Sequence, residues 1–417
     1  MHTHFKTEQN SFCSMLNIKY LLFTNTFILS KMKTNNRDKN LKMIETKTNQ
    51  KIYVTQPLLP DKEAFMAQVN EIWESKWLTN MGSKHKELEK RLKEVLKVKN
   101  ISVFNNGTIA LLAALKVLDL PQGSEIITTP FTFAATPHCI VWNGCKPVFC
   151  DIEPNTMTLD ANKIEALITP NTSAILGVHV YGFPCNVKKI EEIAKKYNLK
   201  VIYDGAHVFS TEIDGRGIGT FGDITMFSFH ATKLFNTIEG GALTYNDESL
   251  ERKIYNLRNF GIRNEEIVET VGINGKMNEL QAAFGLENLK IFRKEQEKRE
   301  KIKQFYDNEL KGIKGIRIPK MPENTTNSYQ YYPIVIEEDY PISRDNLYTI
   351  LKEQNILTRK YFYPACHDYD CYKNNPSIKK SDLSVVDDLK NRVLCLPYYG
   401  NLEEKDLNKI CEIITNN

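Results

Sequence analysis

Ser228-Phe229-His230-Ala231-Thr232-Lys233 closes an apolar run that begins at Thr225. It sets a hydroxyl, an imidazole and a primary amine at the end of a segment with strand composition. Gly240 and Gly241 then allow a tight backbone before the next apolar run, Ala242 to Tyr245. A lysine is ordinarily a solvated surface residue. One held at the mouth of a buried strand loses its proton more easily and becomes a nucleophile toward a carbonyl.

The aldehyde of pyridoxal 5′-phosphate (PLP) is a carbonyl of that kind, and its binding makes three further demands. The pyridine nitrogen wants a carboxylate that keeps it protonated. The phosphate wants backbone N–H groups at a helix start. The ring wants an aromatic face. Asp204 ends the apolar run Lys200 to Tyr203, where ligands gather in doubly wound sheets. Alone, a strand-end Asp is more often a turn or cap residue. Asn105-Asn106-Gly107-Thr108 joins a short apolar run, Ile101 to Phe104, to a helical pattern from Ile109 to Leu118. Such a turn presents free N–H groups, although many strand-to-helix turns look like it. Phe131 and Phe133 lie in a strand-to-helix loop and suit either a flat cofactor or plain core packing.

The elements that must position these residues follow from periodicity. Residues 61–75 and Lys84 to Leu96 have helical spacing, and Trp77 to Gly82 breaks them apart. Strands are expected at Ile101–Phe104, Glu125–Thr129, Lys146–Cys150, Ser173–His179, Lys200–Tyr203, Ile224–Phe229 and Ala242–Tyr245. Helical patterns alternate with them, which argues a mainly parallel sheet covered on both faces. The glycine-rich loop Gly272 to Met277 feeds a long helix with Leu280, Phe284, Leu289 and Phe292 on its apolar stripe. The charged run Arg293 to Lys301 reads as a solvated helix face or an interdomain hinge helix, not a nucleic-acid patch. From about residue 315 a smaller α+β pattern takes over, with strands at Tyr329–Ile336 and Thr358–Phe362 and helices at Arg344–Gln354 and Leu402–Ile414. Arg359 to Pro364, with His367, mixes cations and aromatics in a way that suits a sugar and a diphosphate, or a solvated edge strand.

Composition bounds the reading. The first 51 residues hold nine Lys/Arg and three Asp/Glu, a balance of +6, while the whole chain is only +4. The basic excess is therefore a property of the tail, and the body gives no reason to expect nucleic acid. This tail is expected to be a disordered leader, with a targeting role as the alternative, and Met15, Met32 and Met43 offer other starts. No 18-residue apolar run exists, so no membrane span is expected. The nine cysteines form no CxxC pair and mostly sit in apolar runs, so they read as buried thiols in a reducing cytosol, with no metal site.

Taken in order, Asn106-Gly-Thr108, Pro130-x-Thr-Phe133, Asp204-Gly-Ala-His207, Ser228-Phe-His-x-Thr-Lys233, Glu239-Gly-Gly and Gly-x-Asn274-x-Lys-Met-x-Glu279-x-Gln-Ala-Ala are highly specific. The body, about residues 52–417, resembles the DegT-type PLP-dependent nucleotide-sugar aminotransferases. Lys76 to Asn80, Asn274 to Glu279 and Arg359 to Pro364 resemble the viosamine-type branch, which aminates C4 of a dTDP-4-keto-6-deoxyglucose.

The resemblance implies fold type I: a mainly parallel seven-stranded sheet in a large domain over 52–300 and a small C-terminal domain over 301–417. It implies that Lys233 bonds the cofactor and shuttles protons, that Asp204 holds the pyridinium and that Phe133 stacks on the ring. His207 would stand near the ring hydroxyl, and Gly107, Thr108 and Ser228 would bind phosphate. Asn274 would reach into a neighbouring subunit's site, in a homodimer with shared active sites. Thr79, Asn80, Tyr361, Tyr363 and His367 are expected to meet the nucleotide-linked keto sugar, and L-glutamate is expected as amino donor. The family often has Arg where Lys276 stands, which puts an anion contact there in doubt. Relatives with His in place of Lys233 remove a sugar hydroxyl, so the lysine argues for transamination. A C3 aminotransferase, an enzyme for GDP- or UDP-linked sugars and a non-catalytic PLP-binding regulator are the alternatives.

Overall fold

Apolar strand residues that alternate between two faces need cover on both, and the chain supplies it. The computed structural model describes residues 51–376 and 378–417; the expected leader, apart from Lys51, lies outside them. In chain order the elements that build the site are α1 (Lys62–Ser75), α2 (Ser83–Leu96), β1 (Asn100–Phe104), α3 (Gly107–Val117), β2 (Glu125–Thr128), α4 (Ala135–Trp142), β3 (Lys146–Phe149) and β4 (Thr172–Val178). There follow α5 (Val187–Tyr197), β5 (Lys200–Asp204), β6 (Ile224–Ser228), β7 (Gly241–Tyr245), α6 (Leu250–Leu257), α7 (Glu279–Leu289) and α8 (Phe292–Leu310). The C-terminal part adds β8 (Tyr332–Ile336), α9 (Arg344–Glu353), β9 (Lys379–Lys380), β10 (Val393–Leu396) and α10 (Glu404–Thr415).

The central sheet runs β9-β3-β2-β4-β5-β6-β7-β1. Every neighbouring pair is parallel except those made by β7, which is antiparallel to both β6 and β1. The seven expected strands are all present, and an eighth joins them. That edge strand is the dipeptide Lys379–Lys380, drawn from the C-terminal part of the chain, where no apolar pattern announces a strand.

The two faces are packed separately. Ile126, Leu176, Ile202, Met226 and Leu243 turn toward α3, α4 and α6. Their neighbours Ile127, Ile175, Val201, Phe227 and Ala242 turn toward α2, α5 and α7. A third cluster joins α8, β8, β10, α9 and α10. The described residues belong to one compact unit. No described helix is long and apolar enough to cross a membrane.

Local chemistry explains the helix ends. Asp61 caps α1 through the Ala64 N–H at 2.8 Å, and α1 stops where Lys76 turns left-handed at φ 56°. Asn186 caps α5, which closes on a left-handed Asn198.

Three expectations are corrected. The long helix expected from Met277 is two helices, because Asn278 and Gln281 form a capping box at the start of α7 and the chain breaks at Lys290 and Ile291. The charged run in α8 is not simply solvated: Arg299 is fully buried, donates to Glu295 Oε1 at 2.7 Å and to the Tyr329 carbonyl at 3.2 Å. The strand expected at Thr358–Phe362 is replaced by a two-residue strand just before it, Ile356–Leu357, and one bridge between Arg359 and Cys395, after which residues 361–364 turn.

Candidate active site

The strand register gathers the chemistry at one end of the sheet. Gly241, the first residue of β7, pairs with Ser228 on one side and with Phe104 on the other. The ends of β6 and β1 therefore flank one glycine. A Cβ on Gly241 would lie 2.7 Å from the Gly107 Cα, so only glycine lets the β1–α3 turn fold in. A Cβ on Gly107 would meet Ser228 Oγ at 3.1 Å. Asn106 accepts the Ile109 N–H at 2.8 Å and fixes the start of α3. The N–H groups of Gly107 and Thr108, in the first helical turn, have no acceptor within the helix. A hydroxyl and two N–H groups thus converge on a cradle of anion-binding type.

Asp204 ends β5, two strands from β7, and is buried. Its Oδ1 accepts the Ala206 N–H at 3.1 Å, and its Oδ2 accepts the Thr136 hydroxyl at 2.8 Å. Burial pushes the carboxyl above its ordinary value; those two hydrogen bonds and the Lys233 charge work against the rise.

Lys233 follows β6 in a turn closed by its own N–H to the His230 carbonyl at 2.8 Å. Its Nζ lies 5.9 Å from the centre of the Tyr331 ring. Burial lowers its amine to about 8, and the Asp204 charge only partly opposes that. Gln330 brackets the lysine: its Oε1 accepts the Leu234 N–H at 2.7 Å and its Nε2 donates to the Thr232 carbonyl at 3.1 Å.

His207 is buried, and its Nδ1 accepts the Tyr181 N–H at 3.1 Å, which leaves the neutral ring's proton on Nε2. Burial first, and Lys233 second, hold it well below the ordinary imidazole value. Its ring meets Tyr331 edge-on at 4.9 Å, and Tyr331 meets Tyr361 at 5.4 Å. Phe133 stands at the start of the α4 loop with 63% of its surface exposed. A flat, anionic, aldehyde-bearing ring fits this donor set. The cradle would take its phosphate, Asp204 its ring nitrogen, Lys233 its carbonyl and Phe133 one face.

The profile of the DegT/DnrJ/EryC1/StrS aminotransferase family matches residues 60–415. The chain belongs to that family. It is similar to the dTDP-4-amino-4,6-dideoxy-D-glucose transaminase of Shigella dysenteriae, 45% identical over 363 residues that span 87% of this chain and 98% of that protein. The Escherichia coli protein of the same description is 44% identical over 366 residues, 87% of this chain and 98% of the other. Among solved structures, DesI with its TDP-sugar product superposes with a TM-score of 0.82 at 33% identity, covering 88% of this chain and 93% of that one. The expected family and fold are both borne out.

In this aminotransferase, not every expected contact gathers at Lys233. Thr79 and Asn80 are exposed in the turn between α1 and α2, and Asn80 is left-handed at φ 64°. Tyr361 joins the aromatic group around Tyr331, whereas Tyr363 is half exposed. His367 is buried, with Nε2 3.0 Å from Asp387 Oδ1 and 3.4 Å from Asp368 Oδ1. Lys390 bonds both of those carboxylates. Asn274 is exposed, while its carbonyl accepts from Asn105 Nδ2 of the same chain at 3.3 Å. Lys276 donates to Asn259 Oδ1 at 2.7 Å and lies over the Phe260 ring. Gln330, Tyr331, Tyr181 and Thr136 were not singled out by sequence. They are distant from Lys233 along the chain, and no local spacing marks them.

Proposed function

We propose that this enzyme moves an amino group from L-glutamate to the C4 keto carbon of dTDP-4-keto-6-deoxy-D-glucose, with PLP as cofactor. The observation that carries the reading is the meeting of Lys233, Asp204 and the Gly107–Ser228 cradle at one end of the sheet, in a chain 45% identical to a transaminase named for the 4-amino product. PLP bound there supplies an electron sink for the carbon that loses or gains a proton. Lys233 would hold the cofactor through its Nζ, and the same amine would move a proton at the substrate carbon. Its amine, lowered to about 8, is partly neutral near physiological pH, as a base and nucleophile must be. Asp204 keeps the ring nitrogen protonated. Gly107, Thr108 and Ser228 hold the phosphate, Phe133 covers one ring face, and His207 donates from Nε2 toward the ring hydroxyl. The exchange balances: glutamate leaves as 2-oxoglutarate, and the sugar carbonyl becomes an amine.

Thr79, Asn80, Tyr361, Tyr363 and His367 form the sugar-nucleotide side of the reading. Asn274 serves the site of a second subunit in a homodimer. The eight free cysteines among the described residues, seven of them buried, support a reducing compartment, the cytosol.

The test is a visible absorbance scan of the purified protein, repeated after L-glutamate and again after the keto sugar. The band of lysine-bound cofactor is expected to fall with glutamate and to return with dTDP-4-keto-6-deoxyglucose. A fall without a return would keep the aminotransferase and point to GDP- or UDP-linked keto sugars. A band that glutamate never changes would favour a PLP-binding regulator. No band in protein supplied with PLP would overturn the reading.

A further inference from the structure

Two hydroxyls behind Asp204 have no part in the roles above. Thr136 Oγ1 donates to Asp204 Oδ2 at 2.8 Å, and Thr132 Oγ1 lies 2.9 Å from Thr136 Oγ1. Both threonines are buried, as is the carboxylate. A hydroxyl has a single proton to donate. Thr136 gives its proton to the carboxylate, so the bond between the threonines must run from Thr132 to Thr136. The result is a one-way chain, Thr132 to Thr136 to Asp204, in which each bond polarises the next. Thr132 lies in the turn that leads into α4, which also carries Phe133, and Thr136 is the second residue of α4 itself.

We propose that Thr136, backed by Thr132, is a positioning residue that keeps Asp204 ionised and turns its remaining lone pairs toward the ring nitrogen of PLP. The proposal rests on the reading that PLP binds here. A carboxylate offers about four lone-pair sites. The Ala206 N–H occupies one on Oδ1 and Thr136 one on Oδ2, so both oxygens are held and the group cannot swing about its Cβ–Cγ bond. Burial favours the neutral acid, which would have its own proton and no reason to receive the ring's. A donor aimed at Oδ2 favours the anion instead. The titratable groups that face Asp204 are Lys233, from the turn after β6, and the buried thiol of Cys139, from α4; His207 faces Lys233. The thiol brings no charge, so the two local donors and one lysine are what hold the carboxylate open.

The experiment uses the full chain loaded with PLP and compares wild type, Thr136→Val, Thr136→Ser and Thr132→Val. It reads PLP affinity and the pH midpoint of the visible band. Thr136→Val keeps the branched shape and removes the donor. It is expected to weaken PLP binding about tenfold or more, the range of one hydrogen bond to a charged group. It should also raise the midpoint, since a ring nitrogen without its proton no longer draws the linkage toward the deprotonated form. Asp204→Asn sets the direction and the outer limit of that shift. Thr136→Ser restores both values. Thr132→Val shifts the midpoint the same way by less, and it carries the test alone if Thr136→Val does not fold. A Thr136→Val or Thr132→Val protein with the wild-type midpoint, or a Thr136→Ser as damaged as the valine, would assign the pair to packing and overturn the proposal. Wild-type protein without a visible band would instead overturn the reading on which it rests, so the two failures are distinct.

Discussion

Lys233 is useful because two opposed forces leave it near neutrality. Burial favours the free amine, and the Asp204 charge favours the ammonium; burial wins, and the group titrates at about 8 rather than at an exposed lysine's 10.5. The sign follows directly: below about 8 the amine is protonated and inert, and above it the lone pair is free. The rate at which cofactor-free protein captures PLP is therefore expected to rise as pH passes through about 8 and then level off. Stopped-flow absorbance would measure it, with Lys233→Ala as the control that shows no linkage trapped by borohydride. A rise that comes only near 10.5 would mean that the pocket does not desolvate the amine. The candidate-site residues legible in sequence were those whose place is marked locally. Lys233 follows Ser228 and His230 in one turn, Asp204 ends its strand, and Gly107 opens its helix. Gln330, whose amide brackets Lys233 from far along the chain, has no such local mark. Neither does Thr136, which looks like any threonine at a helix start until Asp204 is placed 2.8 Å away.

At the scale of elements, α2 begins on Gly82, which has no side chain with which to cap it. Glu279, from the start of α7, does so from a distance. Its Oε2 accepts the Lys84 N–H at 2.8 Å and its Oε1 the His85 N–H at 3.3 Å. Its own N–H donates to the Leu78 carbonyl at 3.0 Å. One buried residue thus fixes the helix start on one side and the Trp77–Gly82 turn on the other, and a Cβ on Gly82 would collide with the carboxylate at 2.6 Å. An anion at the first turn of a helix is also favoured by the helix dipole. Glu279→Ala is expected to cost about 1–2 kcal/mol, the range of a lost N-cap. Thermal unfolding would measure the loss, and limited proteolysis should find new cleavage between Lys76 and Lys84. An unchanged melting temperature would mean that water replaces the carboxylate at no cost. The strands and helices around this contact were legible, because alternation of apolar runs dictates a covered parallel sheet. The contact itself was not, since it joins residues nearly two hundred positions apart. The sequence also hid local features, the first being the break between α7 and α8, where apolar spacing continues across Lys290 while the helical backbone does not. It also hid the burial of Arg299, whose charge is neutralised by Glu295 one turn away.

On the whole molecule, large apolar side chains are exposed where a monomer gains nothing from them. Trp73 is 76% exposed, Val271 83% and Val268 67%, with Trp77, Leu78 and Leu280 half exposed. A contiguous apolar surface marks an interaction site, and the proposed homodimer would give such side chains a cover. In that proposed homodimer, the loop from Gly272 to Met277 would decide whether the active sites are shared. Its backbone leans on its own chain, with the Asn105 N–H donating to the Gly275 carbonyl at 2.9 Å, yet Asn274 is exposed. On the proposed reading Asn274 would serve the site of a partner across a two-fold axis, the alternative being the cradle of its own chain. Subunit mixing separates the two. Lys233→Ala removes the amine from every site of its own chain, and Asn274→Ala removes the amide from whichever site it serves. If Asn274 acts across the interface, a mixed dimer places both defects in one site and leaves the other intact. Co-expressed at equal levels, the two inactive variants should then regain about a quarter of wild-type activity, because half of the dimers are mixed and each has one good site. If Asn274 serves its own chain, each site of the mixed dimer has one defect, and the mixture should stay as inactive as its parts.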